Sequence, residues 1–283
     1  MLIILACTQL RIVIEFFKYF SALVTLLIVF VLAHILWTIL SKGLGTISWE
    51  ILSQEPKGGF YLGKGGGILN AIVGSLYLAI GATIIAFIVS LPVALFLNVY
   101  LIRYPKLLST SRFFLDVLWG IPSIVYGAFA FAIMMNFHIK NSLGAGIVTV
   151  SCLIAPIMIR AMDEVLKTIP IGLQEAAYSL GSTKTETAYK IYFKQALPGF
   201  ATAILLAFGR GIGDAASVLF TAGYTDHIPR NLGDPTATLP LAIFFQLGSP
   251  VQEVQNRAYA AAVILMFIVL CVSLSARVFS RKK

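Results

Sequence analysis

The chain has 283 residues, 59% of them hydrophobic and 12% charged, and a formal net charge of +9. A soluble domain carries about a quarter charged residues, so this composition excludes a water-soluble protein and makes lipid the solvent. The basic residues sit between apolar runs rather than in a polar, aromatic-rich stretch, which argues against nucleic acid as a partner and makes them topology signals.

A helical span needs about 20 apolar residues, and about six such runs follow one another. The first is Phe20–Leu40. It leads into Ser41–Asn70, whose glycines mark an external loop. Within it Gly58–Gly65 reads GGFYLGKG, which starts like a phosphate-cradling loop. It then fails: Gly65 stands where Ser or Thr would hold magnesium, and no strand precedes it. The second run, Ala71–Tyr100, is interrupted by Pro92, and the third, Phe113–Met135, contains Gly120 and Pro122. Asp116 stands four residues after Arg112, the spacing of a local helical ion pair. The fourth run is Leu143–Ile159, the fifth Phe200–Phe220 and the sixth Tyr259–Val278. Leu239–Leu247 is too short to cross and reads as a surface helix or a re-entrant piece. Cys7, Cys152 and Cys271 have no metal spacing and read as buried small apolar residues. The expected fold class is an all-α, polytopic transmembrane helical bundle.

Lys and Arg near the span ends set the orientation. Of the 21, fourteen fall with Arg103, Arg160, Lys184 and Arg281, six with Lys57, Lys140 and Arg230, and Arg210 lies inside a span. This asymmetry puts both termini in the cytoplasm, as an even number of spans requires.

The cytoplasmic loop between the fourth and fifth spans, about residues 160–198, reads as two short helices joined by a tight turn. Pro170 starts the first helix, and Gly181 ends it by taking a left-handed conformation. Thr183 and Glu186 have the spacing of a capping box for the second, and Pro198 marks the return to the membrane. Ala176 and Ala177 are small enough for another surface to approach.

In the fifth span, Arg210 and Asp214 are four apart, on one helix face where they pair. Charge at that depth costs about 2.5–3.5 kcal/mol on insertion scales, so both should face a protein interior or a wet path. A guanidinium suits a passing oxyanion, with Asp214 holding or releasing it. The other reading is a permanent pair joining helices. Gly209 and Gly213 share the spacing that lets a second helix approach. Ser123, beside Pro122, either lines the path or satisfies backbone at the kink.

Glu175-Ala176-Ala177 followed by Gly181 resembles the EAA loop of bacterial ATP-binding-cassette importer permeases. Ile191 fits the later part of that pattern, Phe193-Lys194 departs from it, and Ala196-Leu197-Pro198-Gly199 matches again. Gly120–Gly127, GIPSIVYG, resembles a stretch of phosphate importer permeases. Gly209–Ala216, GRGIGDAA, running on to Gly223, is similar to the segment they carry after the EAA loop. The family usually has glutamate where this chain has the shorter Asp214. The resemblance runs from about Gly65 to Arg277 and is nearest to the A-type permease subunit.

The resemblance implies a type I ABC importer permease-like fold, with an N-terminal span and loop over 1–64 and the transporting unit over 65–283. It implies a non-enzymatic subunit of the bacterial cytoplasmic (inner) membrane that passes inorganic phosphate by alternating access. ATP and magnesium belong to a separate ATP-binding subunit that docks on Glu175, Ala176, Ala177 and Gly181, and the chain binds no cofactor itself. A second permease subunit and an external phosphate-binding protein complete the implied assembly. Arg210 would attract sulfate or molybdate equally, so another oxyanion is the nearest alternative. A stand-alone ion-coupled transporter would need no EAA loop. An enzyme would show a nucleophile, metal or acid–base cluster at one membrane face, and the sequence shows none.

Overall fold

A computed structural model describes residues 2–57 and 65–281 of the chain, and side chains within 14–57 and 65–278. Apart from Gly65, the failed phosphate loop lies outside the described residues, as does the side chain of Cys7.

The apolar runs fold as helices because a backbone in hydrocarbon must satisfy its own N–H and C=O groups. Helix α1 spans Leu2–Gly43, α2 Trp49–Ser53, α3 Leu69–Val99, α4 Pro105–Gly120, α5 Ser123–Asn136 and α6 Leu143–Lys167. Then come α7 over Ile171–Ser179, α8 over Lys184–Glu186, α9 over Phe193–Ile212, α10 over Leu239–Leu247 and α11 over Gln252–Arg281. Among the described residues five helices are long and apolar enough to cross a membrane, or six if the pair α4 and α5 is one broken span.

Three of the expected spans differ from the structure in instructive ways. Pro92 does not interrupt the second span: α3 runs through it, as does α6 through Pro156. Neighbouring helices re-satisfy the backbone that a proline frees. The third expected span is instead two helices meeting at 90°. Ile121 and Pro122 are extended at the break, and the Tyr126 hydroxyl donates to the Leu118 carbonyl across it at 2.9 Å. The fifth expected span stops at Ile212, and the chain continues through buried turns.

The core is made where α3, α6 and α9 pack together. Leu78, Ala82 and Ala86 of α3 meet Val150, Ile154 and Met158 of α6 and Phe200, Ala203 and Ala207 of α9. Small residues let these helices approach. A Cβ on Gly211 would lie 3.2 Å from Val150 Cγ1, so Gly211 makes the close contact. The expected pair does not: a Cβ on Gly209 would meet only Val272 Cγ1, at 3.9 Å. Helix α10 is no surface helix. Leu239, Leu241 and Ala242 are buried, and its first amide is capped by Ser75 Oγ at 2.7 Å.

Helix α1 has 42 residues, about 63 Å at 1.5 Å per residue, roughly twice a hydrocarbon core. Every residue from Phe16 to Trp37 is exposed. Its C-terminal end is held on α11, where Gly43 packs directly on the Tyr259 carbonyl. Cys152 and Cys271 are likewise exposed rather than buried.

Candidate functional site

Two regions at opposite ends of α9 hold the residues singled out in the sequence. At its start is the knob made by α7 and α8. Helix α7 ends on Gly181, whose φ of +80° is the left-handed conformation. The Ser182 amide donates to the Ala177 carbonyl and the Gly181 amide to Tyr178, both at 3.0 Å. This crossed pair is a Schellman ending. Thr183 then caps α8: its Oγ1 accepts from the Glu186 amide, and Glu186 Oε2 accepts from the Thr183 amide at 3.0 Å. One turn closes a helix and opens the next with its orphan groups satisfied, so the knob is stiff.

The second helix of the knob is not a separate element. A π-helical turn over Thr187–Tyr192 joins α8 to α9, and Pro198 lies inside α9. The two alanines have different surroundings. Ala177 is buried against the body together with Gln174, which accepts from the Tyr192 hydroxyl at 3.3 Å, while Glu175, Ala176 and Gly181 are exposed. The outward surface also carries Ile171, Leu173, Tyr189 and Leu180, the last 87% exposed. A single stiff turn thus presents an apolar tip beside one carboxylate.

At the other end of α9 lie Arg210 and Asp214. Arg210 occupies the last helical turn, where a cation is favoured by the helix dipole. Its side chain is 48% exposed, and Nη1 lies 3.5 Å from Oδ1 of Asp214, which is 3% exposed. Asp214 is past the helix end, so the two are not on one helical face as expected. The carboxylate instead organises the turn: Oδ2 accepts from the Ser217 amide at 2.8 Å. Within this chain the pair therefore links α9 to its own following turn. Non-helical backbone at this depth is tolerated only where protein covers it or it lines a cavity, and Asp214, Ser217, Val218 and Thr221 are all buried.

That turn is seated on α5. A Cβ on Gly127 would fall 2.7 Å from the Ser217 carbonyl oxygen, so glycine is needed for the contact. Ser123 is one helical turn earlier on the same face of α5 and half-buried. The structure thus brings Arg210 and Asp214 together and places Ser123 on the helix face that holds their turn. Ser217 was not singled out in the sequence; its Oγ is buried without a partner. Only the tertiary contact with Gly127 draws attention to it.

The expected Arg112–Asp116 pair is re-partnered. Asp116 accepts from Arg160 Nε at 2.7 Å, and Arg112 pairs with Asp163 at 2.8 Å. Helices α4 and α6 run antiparallel there, and cross-helix partners displace the local one. Asp163, fully buried, also escaped sequence reading. Its i−3 and i+4 neighbours Arg160 and Lys167 were a usable signal, once residues 160–167 are taken as helix rather than loop.

A family model described as "Binding-protein-dependent transport system inner membrane component" matches residues 90–283. The phosphate transport system permease protein PstA of Haemophilus influenzae is 31% identical over 94% of this chain and 92% of its own length. The protein of that name from Yersinia pestis is 35% identical over 90% of this chain and 85% of its own. Among solved structures, the MetNI methionine ABC transporter in an inward-facing conformation matches with a TM-score of 0.63. It is 22% identical over 75% of this chain and 94% of that chain, a likeness of fold. Helical bundle, knob and sequence likeness agree that the chain belongs to the binding-protein-dependent transport system inner membrane components, the multi-pass permease subunits of ABC importers.

Proposed function

We propose that the chain passes inorganic phosphate across the cytoplasmic membrane by alternating access, with ATP hydrolysis supplied by a separate ATPase subunit that uses magnesium. Its relatives named phosphate transport system permease support the substrate. The knob supports the coupling. A motion pressed on a stiff turn is transmitted, whereas a floppy loop would absorb it, and the Schellman ending followed at once by a capping box makes this turn stiff. Glu175, Ala176 and Gly181 form the docking surface with Leu180, and Ala177 anchors it to the body. Both termini lie on the ATPase side in this reading, because the knob and most basic residues share that side. A second permease subunit completes the pathway, a phosphate-binding protein delivers from outside, and residues 1–64 form an entry segment ahead of the transporting unit 65–283.

Arg210 is the oxyanion contact, Asp214 its counter-charge, and Ser123 a polar lining group. The test is ATP-dependent uptake of labelled phosphate in liposomes holding the chain with its partner subunits, with sulfate and molybdate as competitors. Arg210→Ala is expected to abolish uptake while the complex still assembles on a sizing column. Uptake at the wild-type rate, or competition by sulfate at equal concentration, refutes the assignment.

A further inference from the structure

At the knob end of the bundle one buried carboxylate aims two arginines into a common pocket. Oδ1 of Asp163 accepts from Asn98 Nδ2 and from Arg112 Nη2, both at 2.8 Å. Oδ2 accepts from Arg160 Nη1 at 2.7 Å and faces Lys167 Nζ at 3.2 Å. Both oxygens are saturated, and withdrawing an arginine would strand a buried charge. The guanidiniums are therefore fixed in place, yet their own donors are not used up. Arg112 spends only Nη2 on the protein, which leaves Nη1 without a partner among the described residues; Nε has none either, but it is buried. Arg160 spends Nε on Asp116 and Nη1 on Asp163 and Glu164, which leaves Nη2 without a partner among the described residues.

Arg112 and Arg160 both line an open pocket of about 440 Å³, with Ser109, Phe113 and Asp116 in its wall, the Asp116 carboxylate being held by Arg160 Nε at 2.7 Å. Ser109 is three residues before Arg112 and so shares its helix face. The pocket sits beside the C-terminal ends of α3 and α6, where spans give way to water. Around it Ile102 and Phe113 are exposed apolar groups. Pre-oriented guanidinium edges with spare N–H groups, and a hydroxyl beside them, fit the oxygens of a phosphate group. We infer that this pocket binds a phosphate-type oxyanion, carried either on a phospholipid headgroup at the membrane interface or as free orthophosphate. The site is distinct from Arg210, which lies at the far end of α9, and does not depend on the transport reading.

The test uses the full-length chain in vesicles of phosphatidylcholine and phosphatidylglycerol. Native mass spectrometry counts retained phosphatidylglycerol, and equilibrium dialysis against labelled orthophosphate measures the free ion. Arg112→Lys keeps a charge against Asp163 but removes the planar fork. Ser109→Glu puts a carboxylate into the pocket and leaves every contact of Asp163 intact, so it reports even if the first variant folds poorly. Each variant is expected to weaken the bound form about tenfold, the loss of one charge-assisted contact. Loss of retained phosphatidylglycerol identifies the lipid headgroup, and loss of orthophosphate binding identifies the free ion. A wild type that holds neither, or a folded Ser109→Glu that holds both as the wild type does, overturns the site.

Discussion

Gly181 shows how much one residue decides at the knob. Its φ of +80° is a conformation that a side chain resists, at about 1–2 kcal/mol for an L-residue. No atom lies within 4 Å of where its Cβ would be, so the penalty is one of backbone alone. Gly181→Val should therefore leave the spans folded but loosen the turn, and co-purification of the ATPase subunit and ATP-driven uptake should fall together. Gly181→Asn, which tolerates the left-handed region, should retain most of both. Equal behaviour of the two variants would show that turn geometry is not what matters. This residue and the Thr183–Glu186 box were legible in the sequence because each is settled by neighbours within a few positions. Which alanine of the pair turns inward was not: Ala177 is buried on the same face as Gln174, which Tyr192 reaches from eighteen residues beyond that glutamine.

Among the elements, the informative departures are those where a helix ends sooner or bends more than its hydrophobicity suggests. Residues 213–220 are apolar enough to continue a span, but Asp214 takes the Ser217 amide and starts a turn instead. That turn needs a smooth surface beneath it, which Gly127 supplies. Gly127→Ala would push a methyl into the Ser217 carbonyl, an overpacking cost of about 1–3 kcal/mol. Reduced thermal stability and slower uptake, with the knob still binding its partner, is the expected result; an unchanged melting temperature would contradict the contact. At the opposite end from the knob, Glu55 straps the segment after α2 to residues 227 and 228. The Ile228 amide donates to it at 2.9 Å and the His227 ring stands at 3.4 Å, which holds the carboxyl below its ordinary 4.5 despite partial desolvation. A depressed carboxyl stabilises the strap fully above pH 4.5 and ceases to as pH falls through the lowered value. Hydrogen exchange at the Ile228 amide should thus be protected above that range and lose protection below it. Glu55→Gln should flatten the pH dependence; protection that rises on acidification would refute the strap.

On the scale of the whole molecule, charge is arranged by the fold rather than by the chain. The basic residues that read as topology signals include Arg112, Arg160 and Lys167, which converge on the single carboxylate of Asp163. A buried ion network of this kind gains little net stability over apolar packing, but losing one member is costly. It ties α3, α4 and α6 together in the last turns of α6, which the chain leaves to enter α7 and the knob. By itself the sequence determined the solvent, the approximate number of spans and the chemistry of the knob. Apolar run length answers to bilayer thickness, and helix caps answer to adjacent residues, so both are local. The tertiary structure alone decided where the fifth span stops, how sharply the third one breaks and that Arg112 and Asp116 take partners on α6 rather than each other. Those outcomes depend on what lies across the bundle from each residue, and spacing along the chain carries no record of it.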